Sequence, residues 1–299
     1  MMNIVIRVNE ETKKKMITYY DDKKRDNTPP YAIFQADEED TVITLYESGK
    51  AMFQGISADV DAKMWQEINK QPTTYQPTKV KDYYYISAIG SDEVGTGDYF
   101  GPIVVTASYV NKKDIPHLEE LSIQDSKQMT DDKILEIVPK IIKKIKYASI
   151  MLTNKEYNKR YGTTLNMNKI KAILHNKVIL ELMKKHQLKY DHIIIDEFAK
   201  EKKFFEYLKE VPLVVKEVTF LMKAENKNLS VACASIISRY IFLKEMDKLS
   251  QSLNIELPKG AGPQVDKIGK EIITKYGYEK LSTVAKLNFK NTERILKDN

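Results

Sequence analysis

Two adjacent carboxylates, Asp92 and Glu93, stand in the stretch IGSDEVGTGDYFGPIVV (89–105), at the close of an apolar run and ahead of glycines at 95, 97 and 101. A third acid, Asp196, closes the apolar run of YDHIIIDEF (190–198). A fourth, Glu225, lies in FLMKAENKNLSVACASII (220–237), just before a long helix candidate whose dipole favours an anion. Singly, each has a plain explanation: a solvated turn, a strand-end acid, a helix-start acid. Were the four to converge, they would demand a counter-charge, because two like charges about 5 Å apart cost roughly 3 kcal/mol at an effective dielectric of 20. Two Mg²⁺ ions would formally offset four carboxylates, and hard cations choose oxygen ligands. Such a pair stabilises both the attacking and the leaving oxygen of an in-line phosphoryl displacement. His117, His175, His186 and His192 show no zinc-like spacing and read as ordinary surface or helix positions.

Neighbouring side chains of a strand point to opposite faces, so Asp92 and Glu93 share a site only if the strand ends or bulges there. Gly90, Gly95 and Gly97 supply that freedom. Strands are expected at 84–91, 101–110, 147–153, 191–197 and 213–220, and helices at 131–145, 167–187, 200–209, 228–252 and 264–276. Two apolar strands come first without a helix between them; strands and helices then alternate. That order predicts a mixed sheet, part antiparallel and part parallel, with helices packed on it. Asp196 then falls at a strand end, near the usual ligand crevice of an open α/β sheet. Lys140, Lys143, Lys144 and Lys146 read as the wet face of an amphipathic helix.

The 299 residues have room for two domains. Residues 1–68 read as strand, helix, three strands, helix, with Asn9 as a helix cap and Met64, Trp65 and Ile68 as packing positions. NKQPTTYQPTKVKD (69–82) has two prolines and almost no aliphatics, and reads as a linker to a domain over 83–299. The first segment carries 9 basic and 13 acidic residues, the rest 39 and 29, so the body is positive and suits a polyanionic partner. Within the first segment the basic residues cluster at Lys13–Lys15 and Lys23–Arg25. No apolar run approaches the roughly 20 residues of a membrane span. The N-terminus lacks the pattern of a signal peptide. The single cysteine, Cys233, excludes an internal disulfide, reads as a small buried hydrophobe and fits a reducing cytoplasm.

The block 90–105 resembles the opening motif of type 2 ribonucleases H. DSKQM (125–129), IIIDEF (193–198) and KAENKNLSVACASIISR (223–239) resemble the later motifs, in order. The resemblance implies a ribonuclease H-like mixed sheet flanked by helices. It also implies catalytic, metal-holding carboxylates at Asp92, Glu93, Asp196 and Glu225, although the fourth position is more often Asp in these enzymes. GTG at 95–97, where the HII branch typically has Gly-Arg-Gly, resembles the HIII branch, as does PKGAGPQVD (258–266). The N-terminal segment is similar to the TATA-binding-protein-like α+β substrate domain of that branch.

The implied activity is endonucleolytic cleavage of the RNA strand in RNA/DNA hybrids, with Mg²⁺ or Mn²⁺. One ion would activate water and the other would stabilise the leaving 3′-oxygen, giving 5′-phosphate and 3′-hydroxyl ends. The backbone of Gly95, Thr96 and Gly97 is expected near the 2′-hydroxyl, and Lys127 and Lys223 near phosphates. A monomer is the default expectation. The rival readings are HII-type cleavage at single ribonucleotides embedded in DNA, a non-catalytic hybrid-binding protein, and a metalloenzyme of small nucleotides.

Overall fold

The computed structural model describes residues 2–38, 40–55, 57–69, 83–123, 129–162 and 165–297. The chain divides into two compact units, Met1–Lys81 and Asp82–Asn299. Apart from Asn69, the expected linker lies outside the described residues. Among the described residues no helix is long and apolar enough to cross a membrane.

The first unit runs β1 (Met2–Arg7), α1 (Glu10–Tyr19), β2 (Ala32–Glu38), β3 (Thr41–Tyr46), β4 (Lys50–Gly55) and α2 (Ala58–Ile68), in the order the sequence predicts. The strands form one antiparallel sheet, ordered β1-β4-β3-β2. Alternation turns Phe34, Ala36, Ala51 and Phe53 inward, where they meet Met16, Tyr20 and Trp65. Asn9 caps α1, its Oδ1 accepting from Thr12 N at 2.7 Å. Ile68 does not pack as expected and is 41% exposed. The buried stripe of α2 runs through Ala58, Ala62 and Trp65, and its helical spacing continues to position 69. The basic cluster is also less available than its sequence suggests. Lys13, Lys15, Lys23, Lys24 and Arg25 each pair with a carboxylate of the same unit, respectively Glu10, Glu11, Glu38, Asp21 and Asp37.

The second unit is built on a five-stranded sheet of β5 (Ala88–Val94), β6 (Ile103–Val110), β7 (Lys146–Leu152), β8 (His192–Asp196) and β9 (Val218–Leu221), ordered β7-β6-β5-β8-β9. The β7-β6-β5 pairings are antiparallel and β5-β8-β9 parallel, so the sheet is mixed as predicted. Its helices are α3 (Ile115–Glu120), α4 (Asp131–Ile141), α5 (Asn154–Arg160), α6 (Met167–Lys185), α7 (Glu201–Tyr207), α8 (Leu229–Leu253), α9 (Pro263–Val284) and α10 (Lys290–Lys297). The short helices α3, α5 and α10 are additions to the expected set. Of the four lysines expected on the wet face of a helix, Lys140 lies on α4, Lys143 and Lys144 fall in the turn after it, and Lys146 opens β7. The expected strand at 84–91 starts four residues late. The tyrosines at 83–85 are β-prone by type, but strand pairing begins only at Ala88.

Each sheet face has its own helices. Ile89, Val105, Ile193 and Ile195 pack toward α6 and α7 with Ile170, Leu174, Val178 and Phe204. On the other face, Ala88 and Ile194 meet Val231 of α8, and α4 packs on α8 through Ile134, Val138, Cys233 and Ile237. Cys233 is buried as expected, and burial pushes its thiol pKa up. A β-carbon on Gly90 would sit 2.3 Å from Val231 N, so this glycine lets β5 lie directly against the start of α8.

Candidate active site

The strand period places the two adjacent acids. β5 pairs with β6 in unbroken register through Val94, with Asp92 opposite Thr106 and Glu93 opposite Val105. The strand therefore neither bulges nor ends at the pair, and the two carboxylates leave it on opposite faces. Asp92 belongs to the α8 face. Ser238 Oγ, on α8, donates to its backbone oxygen at 3.2 Å, and Ser235, also on α8, hydrogen-bonds its side chain. Glu93 belongs to the α6 face, where Lys171 and His175 take its two oxygens.

Asp196 reaches Asp92 through the parallel pairing. Ser91 of β5 lies opposite Ile195 of β8, so the next residues along both strands, Asp92 and Asp196, are neighbours about 4.8 Å apart on the same face. The turn after β9 anchors on Asp196, whose Oδ1 accepts from Ala224 N at 2.8 Å. That turn, Ala224–Asn226, carries Glu225, which is 5% exposed. Asn228 then caps α8, accepting from Ser230 N at 3.0 Å. Asp92 and Asp196 thus share one face on neighbouring strands, close enough for their charges to interact, Glu93 leaves the strand on the other face, and Glu225 is tied in through its turn.

The electrostatics reflect this layout. Burial, then the charge of Glu93, and more weakly that of Asp196, raise the Asp92 carboxyl to about 8 against the hydrogen bonds from Ser235 and Glu93 N. Burial also works to raise Glu93, but the hydrogen bond from His175 and the charges of His175 and Lys171 outweigh it, leaving the carboxyl at about 2. The carboxylate can only accept, so His175 Nε2 carries the hydrogen in their 2.8 Å contact. Nδ1 of the same ring lies 2.7 Å from Ser91 Oγ.

Among the described residues, no three His, Cys, Asp or Glu side chains stand close enough to enclose a metal ion in this conformation. Glu93 is turned onto α6, where Lys171 and His175 take its oxygens. The chemistry of the group nonetheless suits a hard cation. Its donors are carboxylate oxygens, and a carboxyl held at about 8 beside two other acids lacks the positive charge its ionised form requires.

The loop after β5 separates two glycines by role. Gly95 has φ +97°, and a β-carbon there would meet Pro102 O at 2.1 Å, so the fold itself requires it. Gly97 is exposed, and a β-carbon there would touch nothing within 4 Å. Thr96 between them is partly buried. Residues 98–101 are tied down by the later block around Gly260. Gly260 N donates to Asp98 Oδ1 at 2.6 Å and Tyr99 N donates to Gly260 O at 2.8 Å. The Lys286 ammonium, 1% exposed, donates to the carbonyls of Asp98 at 2.7 Å and Gly101 at 2.5 Å. Burial holds Lys286 down at about 7, with Asp98 pulling the other way. Lys223 is exposed, with left-handed backbone (φ 53°) directly before the Glu225 turn. Lys127 lies outside the described residues.

Sequence reasoning missed Lys171, His175, Ser235 and Lys286. His175 is not an ordinary helix position, because it is fully buried between Ser91 and Glu93. The signal was present in KIKAILHNKVILEL, where Lys171 and His175 fall one turn apart on the same stripe as Val178 and Leu182. Polar residues on an apolar stripe ask for a buried partner.

Comparisons with known proteins identify relatives along nearly the whole chain. A family model described as Ribonuclease HII matches residues 89–292, and one described as a domain of unknown function (DUF3378) matches residues 3–78. A protein of Listeria monocytogenes named Ribonuclease HIII is 41% identical over 304 residues, covering 99% of both chains. One of the same name from Bacillus cereus is 40% identical over 305 residues, covering 99% of this chain and 98% of its own. The crystal structure of Bst-RNase HIII in complex with Mn²⁺ superposes with a TM-score of 0.73 at 39% identity, covering 99% of both chains.

Proposed function

Because the chain belongs to the ribonuclease HIII family, we propose that Asp92, Glu93, Asp196 and Glu225 form the hydrolytic centre of this endoribonuclease. The enzyme cleaves RNA in RNA/DNA hybrids. The observation that best supports this placement is the β5–β8 register, which sets Asp92 beside Asp196 at the mouth of the parallel half of the sheet. With these four residues as ligands, Mg²⁺ or Mn²⁺, two ions in our reading, supplies Lewis-acid charge for phosphodiester hydrolysis to 5′-phosphate and 3′-hydroxyl ends.

The protein's own groups orient the ligands. The Glu93 N–H fixes Asp92 Oδ1 at 2.8 Å, and the Ala224 N–H fixes Asp196. His175 and Lys171 keep Glu93 ionised. Open space at Gly97 lets a polymer backbone approach the loop, where a 2′-hydroxyl distinguishes RNA from DNA. Lys223, exposed beside the Glu225 turn, contributes a phosphate contact. The N-terminal unit contributes hybrid affinity.

The test is cleavage of two substrates side by side, a full RNA/DNA hybrid and a DNA duplex with one ribonucleotide, with each metal and with chelator. The expected result is metal-dependent cleavage of the hybrid and weak cleavage at the lone ribonucleotide. An intact hybrid in both Mg²⁺ and Mn²⁺ refutes the assignment.

A further inference from the structure

Glu93 is fully engaged by protein groups. One oxygen meets the Lys171 ammonium and the other the His175 ring. Lys171 is 9% exposed, and its Nζ also lies 4.1 Å from the centroid of the Phe198 ring. A lysine this buried is tolerated because a carboxylate and an aromatic face both receive its charge. The His175 ring stacks on the same Phe198 at 5.3 Å, so one aromatic side chain supports both partners of Glu93.

The two partners differ in what they could give up. His175 is fully buried and held from behind by Ser91, so it is fixed. Lys171 ends a flexible four-carbon stem and keeps some access to solvent. A cation that takes Glu93 as a ligand can displace the lysine and leave the histidine contact intact.

Resting on the assignment of Glu93 as a metal ligand, we infer that Lys171 is an internal counter-cation that competes with the divalent ion for Glu93. Metal uptake at this carboxylate is then an exchange of one positive group for another. The lysine holds Glu93 ionised and in place without metal, and it weakens metal affinity by having to be expelled.

The test is calorimetric titration of the full chain with Mn²⁺ and with Mg²⁺, without nucleic acid. The samples are wild type, Lys171→Met, Asp92→Asn, and Lys177→Met as an exposed-lysine control on the same helix. Lys171→Met is expected to bind Mn²⁺ about tenfold more tightly, near the effect of one modest charge interaction. It should melt lower than wild type in chelator yet gain more from added metal, while Lys177→Met matches wild type. Equal or weaker binding by Lys171→Met overturns the inference; weaker binding would mean that the lysine orients Glu93 for metal. Should Lys171→Met fail to fold, Lys171→Arg replaces it. Its forked contact with the carboxylate should weaken metal binding, and unchanged affinity overturns the proposal. If wild type and Asp92→Asn bind metal alike, the assignment of the site fails first.

Discussion

Replacing Asp92 with Asn should abolish cleavage and, in chelator, stabilise the protein. The opposite signs come from one cause. The Asp92 carboxyl is raised from 3.8 to about 8, chiefly by burial and then by Glu93. In the metal-free folded state it holds a proton that the unfolded chain has released at neutral pH, so stability falls as pH rises from about 4 to about 8. At pH 7 this spans three units or so, a ceiling of about 4 kcal/mol at roughly 1.4 kcal/mol per unit. Residual solvent contact reduces it, and about 1–3 kcal/mol is expected. Asparagine keeps the acceptor for Glu93 N, now at 2.8 Å, and never ionises. Its metal-free melting temperature should exceed that of wild type by about 3–10 °C at pH 7, at 2–4 °C per kcal/mol, with the gap narrowing toward pH 5. Glu93→Gln, one residue away, should do the reverse. It strands Lys171 and His175 opposite a neutral amide, at a cost of about 2–4 kcal/mol. Glu93 titrates at about 2, below its ordinary 4.5, so its contribution is present at neutral pH and lost only as pH falls through about 2. Thermal melts of the three proteins in chelator from pH 5 to 8, with cleavage assays in Mn²⁺, read both effects. If Asp92→Asn melts at or below wild type at pH 7, or cleaves normally, the account of this strand end is wrong.

Gly95→Ala should lower the melting temperature markedly, because a β-carbon there meets Pro102 O. Gly97→Ala should leave it unchanged and weaken hybrid binding or shift the preference between hybrid and single-ribonucleotide substrates; melts and binding titrations separate the two. Deleting residues 1–68 should raise the hybrid Kd more than it lowers kcat at saturating substrate, and unchanged affinity would remove the N-terminal unit from substrate binding. Lys286→Met should loosen the 98–101 loop and raise KM for the hybrid, because the Asp98 carbonyl loses this donor and the Gly101 carbonyl is left to the Asn154 side-chain amide; an unchanged KM would show that the other bonds to this loop suffice.

The mixed sheet and its five strands are legible in the sequence because the apolar runs are long and their order is diagnostic. The acids of the site are legible because carboxylates closing apolar strands are conspicuous. Their orientation is harder to read. The glycines around Asp92 and Glu93 suggest a bulge, whereas Gly95 serves the turn after the strand and Gly90 serves the approach of α8. Alternation of neighbouring side chains is a property of any regular strand. That β6 holds this strand regular through Val94 depends on pairing, which residues 88–94 alone do not encode. Lys171, His175 and Lys286 are hidden for a different reason. A polar residue on a buried stripe announces that it needs a partner, but the partner sits far away in the chain: Glu93 for the helix pair, and the carbonyls of Asp98 and Gly101 for Lys286. The N-terminal basic residues mislead the other way, since their charge is visible and the acids that neutralise it on a neighbouring strand are not.

The alternation of Asp92 and Glu93 gives the gene a peculiar fragility. Loss of a single codon between 88 and 91, with the reading frame intact, would slide the rest of the strand by about 3.3 Å and turn it over. An aspartate would then be offered to the histidine and a glutamate to the neighbouring strand's acid. Every functional side chain would still be encoded, and the protein's composition would barely change, yet each would address the wrong helix. Insertions and deletions in this stretch should therefore be far more damaging than most single replacements within it.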